Sequence, residues 1–285
     1  MIPASASLPS RFALAAFITF LSVGSLPSVA QAEITAEVSN TEDPRHPWLS
    51  GQIAQTGATA YFTNLRSGDT VQSPFVAKFG LSQWNLAPAK FNIARTGHHH
   101  LLIDKPLPIP PDTPIPFSDH YVHFGAGQME AVLNLPPGRH TLRLLLANHE
   151  HVPFFVYSPE LVVNVAEGKS SLPERYGKDR KVELLNLSAN GVVTAPFKLQ
   201  FHASGLPVAS SRSKQPTSGH FVLKFLRAGK PTETIEFKNG ATEDWFAPPP
   251  GNYTLELSMV KNGNAPEVMA RTEATIQVAE RSASQ

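Results

Sequence analysis

The sequence predicts an all-β protein, two tandem immunoglobulin-like antiparallel β-sandwich domains, on three observations. Proline and glycine are frequent, 26 and 18 of 285 residues, which favours short strands joined by turns over long helices. Apolar residues alternate with polar ones in short runs, the period of a strand with one face in a core. A set of residues also recurs at fixed spacing, the mark of a duplicated module.

The recurrence has two blocks. Asn64 and Asn186, Phe75 and Phe197, and His98 and His220 each stand 122 positions apart. Glu130 and Glu243, Gly138 and Gly251, and Val165 and Val278 each stand 113 apart. The first copy therefore carries nine extra residues between the blocks, best placed in the proline-rich stretch Pro106–Pro116.

Arg11 and the apolar run that starts at Phe12, followed by Ala30-Gln31-Ala32, form a secretory leader with a small-residue cleavage pattern over 1–32. The apolar run is short for a membrane anchor, and no later segment is apolar enough to span a bilayer. The expectation is a periplasmic or secreted protein without a membrane span after cleavage. Residues 33–60 are weakly periodic and read as an arm. The first module covers 61–165, a polar linker 166–181, the second module 182–278 and a tail 279–285. In the second module Phe221, Leu223 and Phe225 define one strand face, as do Leu255, Leu257 and Met259. Pro249-Pro250-Gly251 is a turn leading into the second of these strands.

The formal net charge of +1 gives no electrostatic basis for binding nucleic acid. The chain has no cysteine, so any metal site must use imidazole, carboxylate or backbone oxygen.

Eight of the eleven histidines lie between His98 and His151: His98, His99, His100, His120, His123, His140, His149 and His151. The second module serves as an internal control. His98 persists as His220, whereas His99, His100, His123 and His140 become Phe221, Val222, Glu236 and Tyr253. His149 and His151 fall on Asn262 and Asn264. Residues confined to one copy are candidates for a task that only this copy performs.

On a strand, His98 and His100 share a face about 6–7 Å apart, and Asp104 joins it if the strand continues. His99 then points inward with Leu101 and Ile103 as a hydrogen-bonded core histidine, and His123 points outward. The candidate metal ligands are His98, His100, His123, His149 and His151, with Asp104 or Glu150 as a carboxylate ligand or orienting partner and the proline-rich loop as a screen. Neutral imidazoles without thiolate suit copper, zinc or nickel. His98, retained in both copies, also reads as structural. His140 and Tyr253 read as structural rings at a strand start, and Glu130 and Glu243 as turn residues.

Three further segments carry a resemblance: Thr96-Gly-His-His-His-Leu-Leu-Ile-Asp104, His123-Phe-Gly-Ala-Gly-Gln-Met-Glu130, and Pro137-Gly-Arg-His-Thr-Leu-Arg-Leu-Leu-Leu146. With His149-Glu-His-Val-Pro153 they resemble a bacterial exported family, domain of unknown function 4399, and the second module looks like a diverged copy. Met129 and Asn148 stand where that family tends to have threonine and aspartate. The resemblance implies an exported β-module without an established activity.

Two functions follow as expectations. One is a periplasmic protein that binds copper or zinc through the histidines. The other is a non-catalytic module that binds an envelope protein or glycan, with Trp84, Trp245 and the proline-rich loop as the features to test. No nucleophile elbow, His-Glu-x-x-His helix or phosphate loop is present, which argues against an enzyme.

Overall fold

The computed structural model describes residues 45–50, 57–107, 110, 112–170, 172, 176, 179–188 and 190–281. The stretches read as a leader, most of the arm, parts of the linker and the end of the tail lie outside the described residues. Among the described residues no helix is long and apolar enough to cross a membrane.

The first module contains β1 (Thr59–Phe62), β2 (Asp69–Gln72), β3 (Phe75–Ser82), β4 (Asn85–Leu86), β5 (Thr96–Ile103), β6 (Tyr121–Phe124), β7 (Glu130–Leu133), β8 (Gly138–Ala147), β9 (Pro153–Tyr157) and β10 (Leu161–Ala166). A small sheet runs β1-β3-β7; a larger one runs β2-β10-β8-β5-β4, with β6 on β5 and β9 on β8. The second module repeats this plan with β11 (Lys181–Leu184), β12 (Gly191–Thr194), β13 (Phe197–Ser204), β14 (Gly219–Leu226), β15 (Glu233–Glu236), β16 (Glu243–Phe246), β17 (Gly251–Lys261) and β18 (Val268–Ala279). Its sheets run β11-β13-β16 and β12-β18-β17-β14-β15. Each module is thus an immunoglobulin-like sandwich. One strand, β18, takes the place of β9 and β10, which Ser158 and Pro159 separate. Proline cannot donate to a ladder, and Ser158 Oγ instead accepts the Leu144 N–H at 2.9 Å.

Period two places the core as expected. Phe221, Leu223, Phe225, Leu255, Leu257 and Met259 are buried, as are Leu101, Ile103, Leu142, Leu144 and Leu146. β5 differs from a half-buried strand because all eight of its residues are buried. Its second face is covered by the proline-rich loop, where Ile115 packs with Leu102, Leu145 and Ala147 in a small separate cluster. Full burial of a side chain of that size contributes about 1.5–3 kcal/mol, so the inserted loop is anchored.

The two modules meet through the outer faces of their small sheets, and the contacts are reciprocal. Val208 N–H donates to Gly127 O, and its counterpart Leu86 N–H donates to Gly240 O, both at 2.9 Å. Lys78 pairs with Glu183 at 2.7 Å, and their counterparts Gln200 and Tyr61 hydrogen-bond at 2.6 Å. Such i-to-j and j-to-i pairing is the signature of a two-fold interface.

Glu130 and Glu243, expected as turn residues, instead open β7 and β16 and belong to this contact. One Glu130 oxygen accepts from His202 Nε2 at 3.0 Å, Ser204 Oγ at 3.0 Å and Tyr176 Oη at 2.9 Å. Glu243 accepts from Tyr61 Oη and from Lys198. Period two was silent here because it does not say what covers the outer face of a sheet.

Gly127 has φ +90°, and an added Cβ would lie 2.0 Å from Val208 O. Gly127→Ala is therefore expected to cost about 3 kcal/mol of stability in urea denaturation. Gly57→Ala, with open space around it, is expected to change little.

Residues 45–50, within the stretch read as an arm, are tied to the second module. Leu49 bridges Phe246, Arg45 pairs with Asp244 at 3.0 Å, and Trp48 packs edge-on against Phe225 and Tyr253.

Candidate metal centre

The register of β5 builds the centre. His98 and His100 alternate onto the face beneath the inserted loop, and His100 lies directly opposite His123 on β6. Cross-strand partners hold their Cβ atoms about 4.5–5.5 Å apart, so the three rings meet. Their centroids are 4.8–5.0 Å apart. One ring nitrogen from each lies within 4.8 Å of the other two. His98 Nε2 and His100 Nε2 are 3.0 Å apart. Two nitrogens bound to one ion at about 2.0–2.1 Å would stand roughly 2.8–3.4 Å apart, depending on the angle between them. The spacing of this pair therefore suits a shared ion, and the His123 nitrogen lies within 4.8 Å of both.

A fourth ring comes from the turn between β8 and β9. Asn148 organises this turn: its Oδ1 accepts the N–H groups of Glu150 and Val152, both at 2.9 Å. Either asparagine or aspartate can perform that role. His151 follows with φ 64°, in the left-handed region. Its ring centroid lies 5.1 Å from His98, 4.8 Å from His123 and 5.8 Å from His100. Its carbonyl accepts the Ile115 N–H at 2.9 Å, which ties the turn to the inserted loop. Phe117 of that loop rests edge-on against His123 and His151 at 5.1 and 5.0 Å.

The rings of His98, His100 and His123 are held neutral. Burial, and then the neighbouring imidazoles, push His98 down to about 2 and His100 to about 3. His123 is lowered by burial and by His151. Among the described residues, His123 Nε2 is buried without a hydrogen-bond partner, an expensive arrangement unless another ligand satisfies it. Neutral imidazoles with converging lone pairs are suited to a transition metal.

Gly125 was not among the expected site residues, yet a Cβ there would lie 2.2 Å from His123 Cε1. Its counterpart in the second module is Lys238, so a glycine confined to the histidine-bearing copy was the available signal. Phe117 follows the insertion, where the offset of 113 pairs it with Lys230, and the comparison of copies did not single it out.

Other expected residues go elsewhere. His149 is half-buried on the turn and makes no hydrogen bond or ring contact among the described residues. Asp104 leaves the shared face because β5 ends at Ile103 and Asp104 turns left-handed, with φ 55°. Its carboxylate accepts the Thr141 N–H at 2.8 Å and contacts His140 Nδ1 at 2.7 Å. Glu150 is exposed. His99 is a core residue as expected, packed against Phe79, but among the described residues neither ring nitrogen has a partner, contrary to the hydrogen bond expected. His140 Nε2 meets Pro136 O at 2.9 Å, matching the Tyr253 Oη bond to Pro249 O at 2.7 Å, so both are strand-start anchors. His220 contacts Asn262 Oδ1 at 2.7 Å and is structural in the second module. Trp84 packs on Phe154 at 4.3 Å.

Fold and site together define a tandem β-sandwich protein with an imidazole-only cluster in one copy. The chain belongs to the family described as Domain of unknown function (DUF4399), whose model matches residues 77–166 and 199–279. No curated protein matches it. Among solved structures it is similar to the fibronectin(III)-like modules of Clostridium thermocellum CbhA, at 14% identity over 77% of this chain and 94% of that one, TM-score 0.23. It is similar to the chicken CNTN1 FN1-FN3 domains at 11% identity over 76% and 69%, TM-score 0.22. It is also similar to dimeric latent PorU from Porphyromonas gingivalis at 12% identity over 82% of this chain and 22% of that one, TM-score 0.27.

Proposed function

We propose that this chain is an exported, periplasmic binding protein whose first module takes up a transition metal such as copper or zinc. The carrying observation is the convergence of the ring nitrogens of His98, His100 and His123 within 4.8 Å. The leader pattern of 1–32 supports export, and the loss of His100 and His123 from the second module supports a task confined to the first. The test is elemental analysis of the purified full chain together with calorimetric titration by copper(II), zinc(II) and nickel(II). About one equivalent is expected; the absence of binding by all three sinks the reading.

A second reading, docking of an envelope protein or glycan, is favoured by Phe155 and Tyr157, which are 83% and 43% exposed on β9. Capture of such a partner by a chain whose cluster histidines have been substituted would support it.

A further inference from the structure

We propose that the loaded triad of His98, His100 and His123 keeps one coordination position for a small monodentate anion, which His151 holds by donating a ring N–H. This deepens the metal reading and rests on it.

The geometry leaves the position open. Two adjacent strands of one sheet supply the three converging nitrogens. Ligands from one side of an ion leave its opposite side free, and here that side faces the inserted loop. His151 stands next to it, with its ring 4.8 Å from that of His123, but its nitrogens are outside the converging set.

Charge then selects the occupant. The groups acting electrostatically on His98 are His100, His123, His151 and His99, all imidazoles. The Asp104 carboxylate is engaged with Thr141 and His140, away from the cluster. A divalent ion bound by three neutral rings keeps its full charge against partly buried walls, which is costly. Water in the open position leaves that charge unchanged, whereas a monoanion halves it. A neutral imidazole always carries one N–H, and His151 is positioned by its left-handed turn and by the Ile115 N–H. The Phe117 ring, 5.1 and 5.0 Å from those of His123 and His151, stands beside the open position.

The experiment uses the copper(II)-loaded full chain titrated with sodium azide and read by charge-transfer absorption and electron paramagnetic resonance. A saturable change at one azide per copper is expected. His151→Gly keeps the backbone, since glycine adopts positive φ freely. It should bind copper within about threefold of the parent and azide about tenfold or more weakly, the loss of one hydrogen bond to a charged group. Phe117→Ala should admit larger anions. Bound copper with spectra indifferent to azide overturns the inference and leaves the metal reading intact. So does a His151→Gly chain that loses copper affinity and keeps its azide affinity, because His151 is then a ligand. A parent chain that takes none of copper(II), zinc(II) and nickel(II) overturns both.

Discussion

His100→Gln is expected to lower copper or zinc affinity more than about 100-fold, measured by calorimetry on the full chain. The basis is position. His100 is fully buried, lies within 3.0 Å of His98 Nε2, and faces His123 across the β5–β6 pair. Changes to groups that merely orient a metal ligand typically cost 10–100-fold, so removing one of three ligands costs more. Glutamine keeps much of the volume, which limits the cavity penalty that alanine would incur. His149→Ala separates this account from a diffuse histidine surface: it is expected to leave affinity within about twofold, because His149 does not touch the cluster. Equal losses for both variants would refute the triad.

Acidification is expected to destabilise the metal-free protein steeply between about pH 6.5 and pH 4. His98, His99 and His100 are held down to about 2, 4 and 3 from an ordinary value of 6.5. Burial is the leading cause for each. Below pH 6.5 the unfolded chain binds protons that the folded chain refuses, so stability falls as pH falls. Each such ring contributes about 1.4 kcal/mol per pH unit in that window, roughly 4 kcal/mol for the three. Thermal melts at pH 7, 6 and 5 with chelator present measure it. His99→Phe gives the internal check. The second module already has Phe221 at this position, packed on Phe201 at 5.4 Å as His99 packs on Phe79 at 5.5 Å. The variant should lose about a third of the pH dependence and melt higher at pH 5. An unchanged slope would show that His99 does not titrate with unfolding.

What the sequence disclosed was local. Alternation put His98 and His100 on one side of a strand and His99 in the core, and comparison of the copies pointed to His100, His123, His149 and His151. The fixed spacings of 122 and 113 agree with the two family matches, 77–166 and 199–279. What stayed hidden was set by long-range contacts. Asp104 was expected to continue the face of His100, but a left-handed backbone turned it toward Thr141. His149 and His151 share a two-residue spacing, yet they sit on a turn and not a strand, so only His151 reaches the cluster. The two glutamates were misplaced because a strand pattern records which side is apolar, not which neighbour later covers the polar side.

The reciprocal contact between the halves has a consequence at low protein concentration. Ordinary homodimers part on dilution, because their pairing depends on how many molecules are present. Here the companion is carried on the same chain, at an effective concentration of order millimolar that no dilution reduces. The histidine-bearing half therefore keeps its covered face at any protein concentration.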